Sequence, residues 1–175
     1  IYTATDESGN TTTQAIDYVV NDYVTPDIDI RTLDVIYHPV NTPYTPVSAT
    51  AADNLYNTTQ ISLTQSSDVN PYVLGTYADT YTATDAAGNV STKIRTVHVV
   101  DLEAPFITGK VGGTLRVGVG SEFNMVDYIL FSDNYDAPAD LIANHTLVYN
   151  DVNVWEEGFY SAVFQTRDNS GNNSK

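Results

Sequence analysis

The most regular pattern along the chain is a short run in which apolar and polar side chains alternate and then stop at a turn. It reads Tyr81-Thr-Ala-Thr-Asp85-Ala-Ala-Gly88-Asn89, with an earlier copy at Tyr2-Thr-Ala-Thr-Asp6-Glu-Ser-Gly9-Asn10. A looser copy follows at Phe164-Gln-Thr-Arg-Asp168-Asn-Ser-Gly171-Asn172. Alternation at period two marks a half-buried strand, and Asp followed by Gly-Asn predicts a tight turn with positive φ angles. The three aspartates recur at intervals of about 80 residues. That period means tandem copies of one small domain, since solenoid repeats run roughly 20–50 residues.

Taken in order, residues 1–22 read as the closing hairpin and linker of a preceding repeat, with strands over 1–5 and 12–20. Residues 23–101 read as a full domain, with strands over 28–37, 47–52, 60–63, 73–84 and 93–100. Within the last of these, Val97 and Val99 share one face. Pro39, Pro43 and Pro46 exclude a continuous central strand between the first two. Residues 102–175 repeat the plan, with strands over 106–108, 114–119, 123–131, 146–149 and 152–155 and the final strand lacking. The unclosed edge would accept a strand from a neighbouring copy by β-augmentation. The junctions Asn21-Asp22-Tyr-Val-Thr-Pro26 and Val100-Asp101-Leu-Glu103-Ala-Pro105 correspond, and proline makes each semi-rigid. No helix is predicted anywhere.

Composition agrees with an all-β chain: 13 Tyr and abundant Thr and Val favour strand over helix. With no Cys, no disulfide supports the modest cores such small domains can bury. The net charge of −15, from 22 acids against 7 Lys and Arg, argues against nucleic acid as a partner. It fits either solubility in a salty medium or aspartates gathered to hold cations. No run of apolar residues is long enough to span a membrane.

The order of these signals, Asp…Pro, Ala-Asp-Asn, Gly-x-Tyr, Tyr-Thr-Ala-Thr-Asp-x-x-Gly-Asn and a closing Val-rich strand, resembles bacterial immunoglobulin-like tandem repeats of extracellular surface proteins, relatives of the hyalin-repeat modules. The resemblance implies tandem immunoglobulin-like β-sandwich domains, at the cell surface or outside the cell, in a stalk, adhesin or filament. Its expected partners are neighbouring repeats of the same chain or other subunits. Two other functions fit the same residues: a glycan-binding accessory module of a secreted enzyme, and a viral or phage surface fibre.

The residues carry no catalytic pattern. His38, His98 and His145 do not repeat at equivalent positions, no Cys/His zinc spacing exists, and the Gly-rich stretch 109–120 lacks a phosphate-binding Lys-Ser/Thr. Trp155 occurs in one repeat only and reads as core filling, although an aromatic face could also stack on surface glycans. Asn-x-Ser/Thr sequons lie at Asn10, Asn57, Asn89, Asn144 and Asn172, three of them explained by the turn itself. The sharpest expectation is calcium. In an immunoglobulin-like sandwich the junction, the Asp-Asn loop and the Asp-x-x-Gly-Asn turn meet at one end. That would gather Asp22, Asp53 and Asp85 in one domain, and Asp101, Glu103, Asp133 and Asp168, with Asp136 in reach, in the next. The plainer alternative is that each Asp only caps its own turn.

Overall fold

The computed structural model of the chain describes residues 1–174. In chain order the strands are β1 (Tyr2–Thr5), β2 (Thr11–Gln14), β3 (Asp27–Asp29), β4 (Val35–Pro39), β5 (Thr50–Ala52) and β6 (Ser62–Ser67). They continue with β7 (Gly75–Thr84), β8 (Val90–Val100), β9 (Phe106–Gly109), β10 (Ile129–Ser132), β11 (Thr146–Asn150) and β12 (Ala162–Gln165). The fold is all-β, as the alternation predicts. The chain divides into two compact units, one of Ile1–Arg31, Ser48–Gln65 and Tyr81–Lys93, the other of Thr32–Val47, Ser66–Thr80 and the residues from Ile94 onward.

In the first unit, β1 and β2 form an antiparallel hairpin around Asp6, from Tyr2↔Gln14 to Thr5↔Thr11. Every residue of this hairpin is exposed, and no strand continues over residues 15–20, shorter than the sequence predicts. β3 pairs with β5 through Ile28↔Ala51. Ile28, Ile30, Ala51, Tyr81 and Ala83 are buried, one side of the period-two pattern. The expected strand over 28–37 breaks at Arg31, which adopts φ 60° while its amide donates to Asp29 Oδ1. The left-handed region is costly for a side chain other than Gly, Asn or Asp, so the extended backbone cannot run through it.

In the second unit, β4 pairs in parallel with the end of β8, from Val35↔Thr96 to Pro39↔Val100. The ladder gains Thr96 N–H to the Asp34 carbonyl and Val40 N–H to the Val100 carbonyl, at 2.7 and 2.8 Å. Val40, Val97 and Val99 form a buried cluster covered by Ile36, Tyr44, Val69, Leu74 and Tyr77. On the same faces sit two charges that the alternation did not flag. Arg95 Nη1 lies 3.8 Å from Asp79 Oδ2, both side chains buried, and Tyr44 donates its hydroxyl proton to the same oxygen. Burying a charge is tolerable when it is paired. The ion pair and the Tyr44 hydroxyl serve Asp79 Oδ2, while Asp79 Oδ1 and Arg95 Nε are buried with no hydrogen-bond partner.

Further along the same unit, β9 pairs with β10, and β11 with β12 through an irregularity between Leu147 and Tyr149. Three expectations fail here. Residues 114–119 form no strand; Gly113 and Gly120 turn the chain with positive φ on either side. Residues 152–155 are a turn, because the Asn150 and Asn153 side chains accept the amides of Val152 and Trp155 and bend the backbone. An unforeseen helix, α1 (Pro138–Ala143), starts with proline at its first positions and Asp140 in its first turn, and buries Leu141. A 3₁₀ turn over Met125–Tyr128, capped by Asn124, also precedes β10. Trp155, read as core, is 74% exposed, and Phe159 is 94% exposed. No helix among the described residues is long and apolar enough to cross a membrane.

Candidate metal centre

The three repeated turns share one plan, in which the Asn backbone and side-chain amides both donate to the Asp carboxylate. Asp6 accepts the amides of Ser8 and Asn10 on Oδ1 and the Asn10 side-chain amide on Oδ2. Asp85 accepts Asn89 N–H and Asn89 Nδ2–H, each at 2.8 Å. Asp168 accepts the amides of Gly171 and Asn172 on Oδ1 and Asn172 Nδ2–H on Oδ2. Positive φ is carried by Gly9, Gly88 and Gly171, while the Asn that follows keeps negative φ and serves as a hydrogen-bond arm.

That arm reaches further in two of the copies, a role the sequence reading missed. Asn89 Nδ2 also donates to the Asp22 carbonyl at 3.3 Å, and Asn172 Nδ2 to the Asp101 carbonyl at 3.4 Å. With both amide protons engaged, a glycan on either nitrogen would cost one of these bonds.

The junction and loop aspartates come to the same places. Carboxylate oxygens of Asp22, Asp53 and Asp85 all lie within 4.8 Å of one another, as do those of Asp101, Asp133, Asp136 and Asp168. Glu103 is not in the set. Glu103 is exposed and contributes its amide, donated to Asp101 Oδ1 at 3.2 Å.

Each junction and loop aspartate divides its two oxygens between separate tasks. Asp22 Oδ1 accepts Val24 N–H, and Asp53 Oδ1 accepts the amides of Leu55 and Tyr56. Asp133 Oδ2 accepts the amides of Tyr135 and Asp136. The other oxygens, Asp22 Oδ2, Asp53 Oδ2, Asp101 Oδ2 and Asp133 Oδ1, are buried with no hydrogen-bond partner, as is Asn134 Oδ1. Turn capping accounts for one oxygen of each residue and leaves the second unexplained. Asp136 ties the loop to the turn by accepting the Asn169 amide and side chain.

Burial pushes the Asp101 carboxyl above its usual value; the Glu103 amide and the adjacent Asn134 side chain oppose this, and the Asp133 and Asp168 charges add to it. At Asp85 burial also pushes upward, but the hydrogen bonds from Asn89, Gly88 and Ala87 outweigh it and hold the carboxyl low. The histidines are engaged elsewhere: His38 with Thr42, His98 with Thr76, and His145 with the Ile142 carbonyl.

The sequence profile described as "Bacterial surface protein, Ig-like domain" matches residues 28–99. Residues 28–99 are a bacterial surface immunoglobulin-like domain. This immunoglobulin-like domain contributes Asp53 and Asp85 to the first carboxylate set, while Asp22 lies just ahead of it. An uncharacterised 81.3 kDa protein of Acholeplasma phage L2 is 31% identical over 116 residues, covering 64% of this chain and 15% of that protein. The chain thus spans a small part of that relative's length. A lipoprotein of Bacteroides thetaiotaomicron, known from a crystal structure, aligns with a TM-score of 0.36 and 24% identity over 45% of this chain and 39% of that one.

Proposed function

We propose that the chain is a non-catalytic structural segment of an extracellular or cell-surface stalk, adhesin or filament, made of tandem immunoglobulin-like domains with fixed linkers. The observation that carries this reading is the same junction built twice. In each, the turn Asn reaches the carbonyl of the linker aspartate, Asn89 to Asp22 and Asn172 to Asp101. Pro26 and Pro105, both buried, follow and stiffen the backbone. A surface stalk needs linkers that do not flex, and two equivalent tethers on two proline-bearing linkers serve that need. Backbone NMR relaxation tests it. The amides of residues 22–25 and 101–104 should have order parameters near the rigid value of about 0.85, falling below about 0.6 in Asn89→Ala and Asn172→Ala respectively. Linkers already mobile in the unaltered chain would overturn the reading.

The exposure of Trp155 and Phe159 favours a second reading, a glycan-binding module in which these rings stack on sugar faces. Binding to a glycan array that disappears in Trp155→Ala would establish it, and silence across the array would remove it.

A further inference from the structure

Beyond the structural role, we propose that Asp101, Asp133, Asp136 and Asp168 bind one divalent cation of the calcium class, and that Asp22, Asp53 and Asp85 form a weaker second site. The argument begins with charge. Four carboxylates whose oxygens lie within 4.8 Å repel one another unless a cation or protons intervene. Asp101 is 6% exposed, and its Oδ2 is buried without a hydrogen-bond partner. An ionised oxygen held dry among other carboxylates is costly in free energy, and a cation removes the cost.

The Asp-x-x-Gly-Asn turn closes through its own Asn-to-Asp hydrogen bonds at Asp6, Asp85 and Asp168 alike. The clustering comes from the junction and loop aspartates, which in both copies withhold one buried oxygen from their capping duty.

The donor chemistry selects the ion. Every candidate ligand is an oxygen, whereas zinc sites draw on Cys and His. The donors come from a linker, a loop and a turn rather than from one rigid element, which suits the irregular six to eight oxygens of calcium better than the strict octahedron of magnesium. Calcium affinity follows ligand charge. The position equivalent to Asp136 is Tyr56 in the first copy, so that set holds three carboxylates against four. The four-carboxylate site should fill first.

The test is calorimetric titration of the chelator-stripped chain with calcium alone, followed by thermal melts in calcium and in chelator. Two binding steps are expected. Asp133→Asn should abolish the tighter and Asp53→Asn the weaker, with Asp6→Asn changing neither. Asparagine keeps the oxygen that caps the loop and removes the charge, which gives a sign to the melts. Asp133→Asn should lower the melting temperature in calcium, by roughly 10 °C when calcium is 100-fold above its dissociation constant. In chelator it should raise it, because repulsion is relieved. Absence of binding heat, or equal destabilisation by Asp133→Asn in both media, would overturn the proposal and leave these residues as caps.

Discussion

The turn at Asp6 and the turn at Asp85 are written in nearly the same residues and close with the same hydrogen bonds, yet their surroundings are opposite. Tyr2 is 61% exposed where Tyr81 is fully buried, and Ala4 is exposed where Ala83 is buried. Local hydrogen bonding alone thus forms the turn and its flanking pairs. Tyr81 is instead buried, as are Ile28, Ile30, Ala51 and Ala83 of the same unit.

The largest test of this contrast is truncation of the matching tyrosines. Tyr81→Ala should cost about 3–5 kcal/mol of stability by urea unfolding. Tyr2→Ala should stay within about 0.5 kcal/mol, as exposed positions do. Similar costs at both would end the comparison. A smaller test moves to the glycines. Gly88 and Gly9 adopt φ 91° and 83°, and a Cβ at either would meet no atom within 4 Å, so only backbone strain is at issue. Gly88→Ala should lower stability by about 1–2 kcal/mol. Gly9→Ala should leave the melt unchanged while accelerating amide exchange across β1 and β2.

The smallest effect is on titration. The Asn10 side chain and then its amide hold the Asp6 carboxyl below its ordinary value, while Asp85 reaches the same direction against burial. A lowered folded-state value means the stabilisation is present above the unfolded value and is lost as pH falls through the folded one. Carboxyl-carbon NMR in chelator should therefore show both titrating below ordinary aspartate. Only the Asp85 titration should be accompanied by loss of tertiary signals.

Much of this was legible in the residues. Period-two alternation located β7 and β8 and the Val97–Val99 face, because both strands have one buried side. The periodic aspartates located the carboxylate sets, since each closes a loop at an equivalent position. What escaped was set by tertiary context or by overlooked side-chain caps. Asp79 and Arg95 occupy the apolar faces of β7 and β8, where alternation alone predicts a hydrophobe. Asn150 and Asn153 turned a valine-rich run into a bend. Glu103 was placed by its charge, whereas it is exposed and contributes its amide to Asp101.

The parallel pairing of β4 with the end of β8 has a mechanical consequence. These segments lie towards opposite ends of the immunoglobulin-like sequence, so tension between its ends pulls them past each other along their length. The ladder from Thr96–Asp34 to Val40–Val100 is then loaded in shear, and its bonds must fail together. The antiparallel β1–β2 hairpin, pulled from its two ends, opens one pair at a time. Under drag, the short β3 would peel first, and the chain would hold at β4.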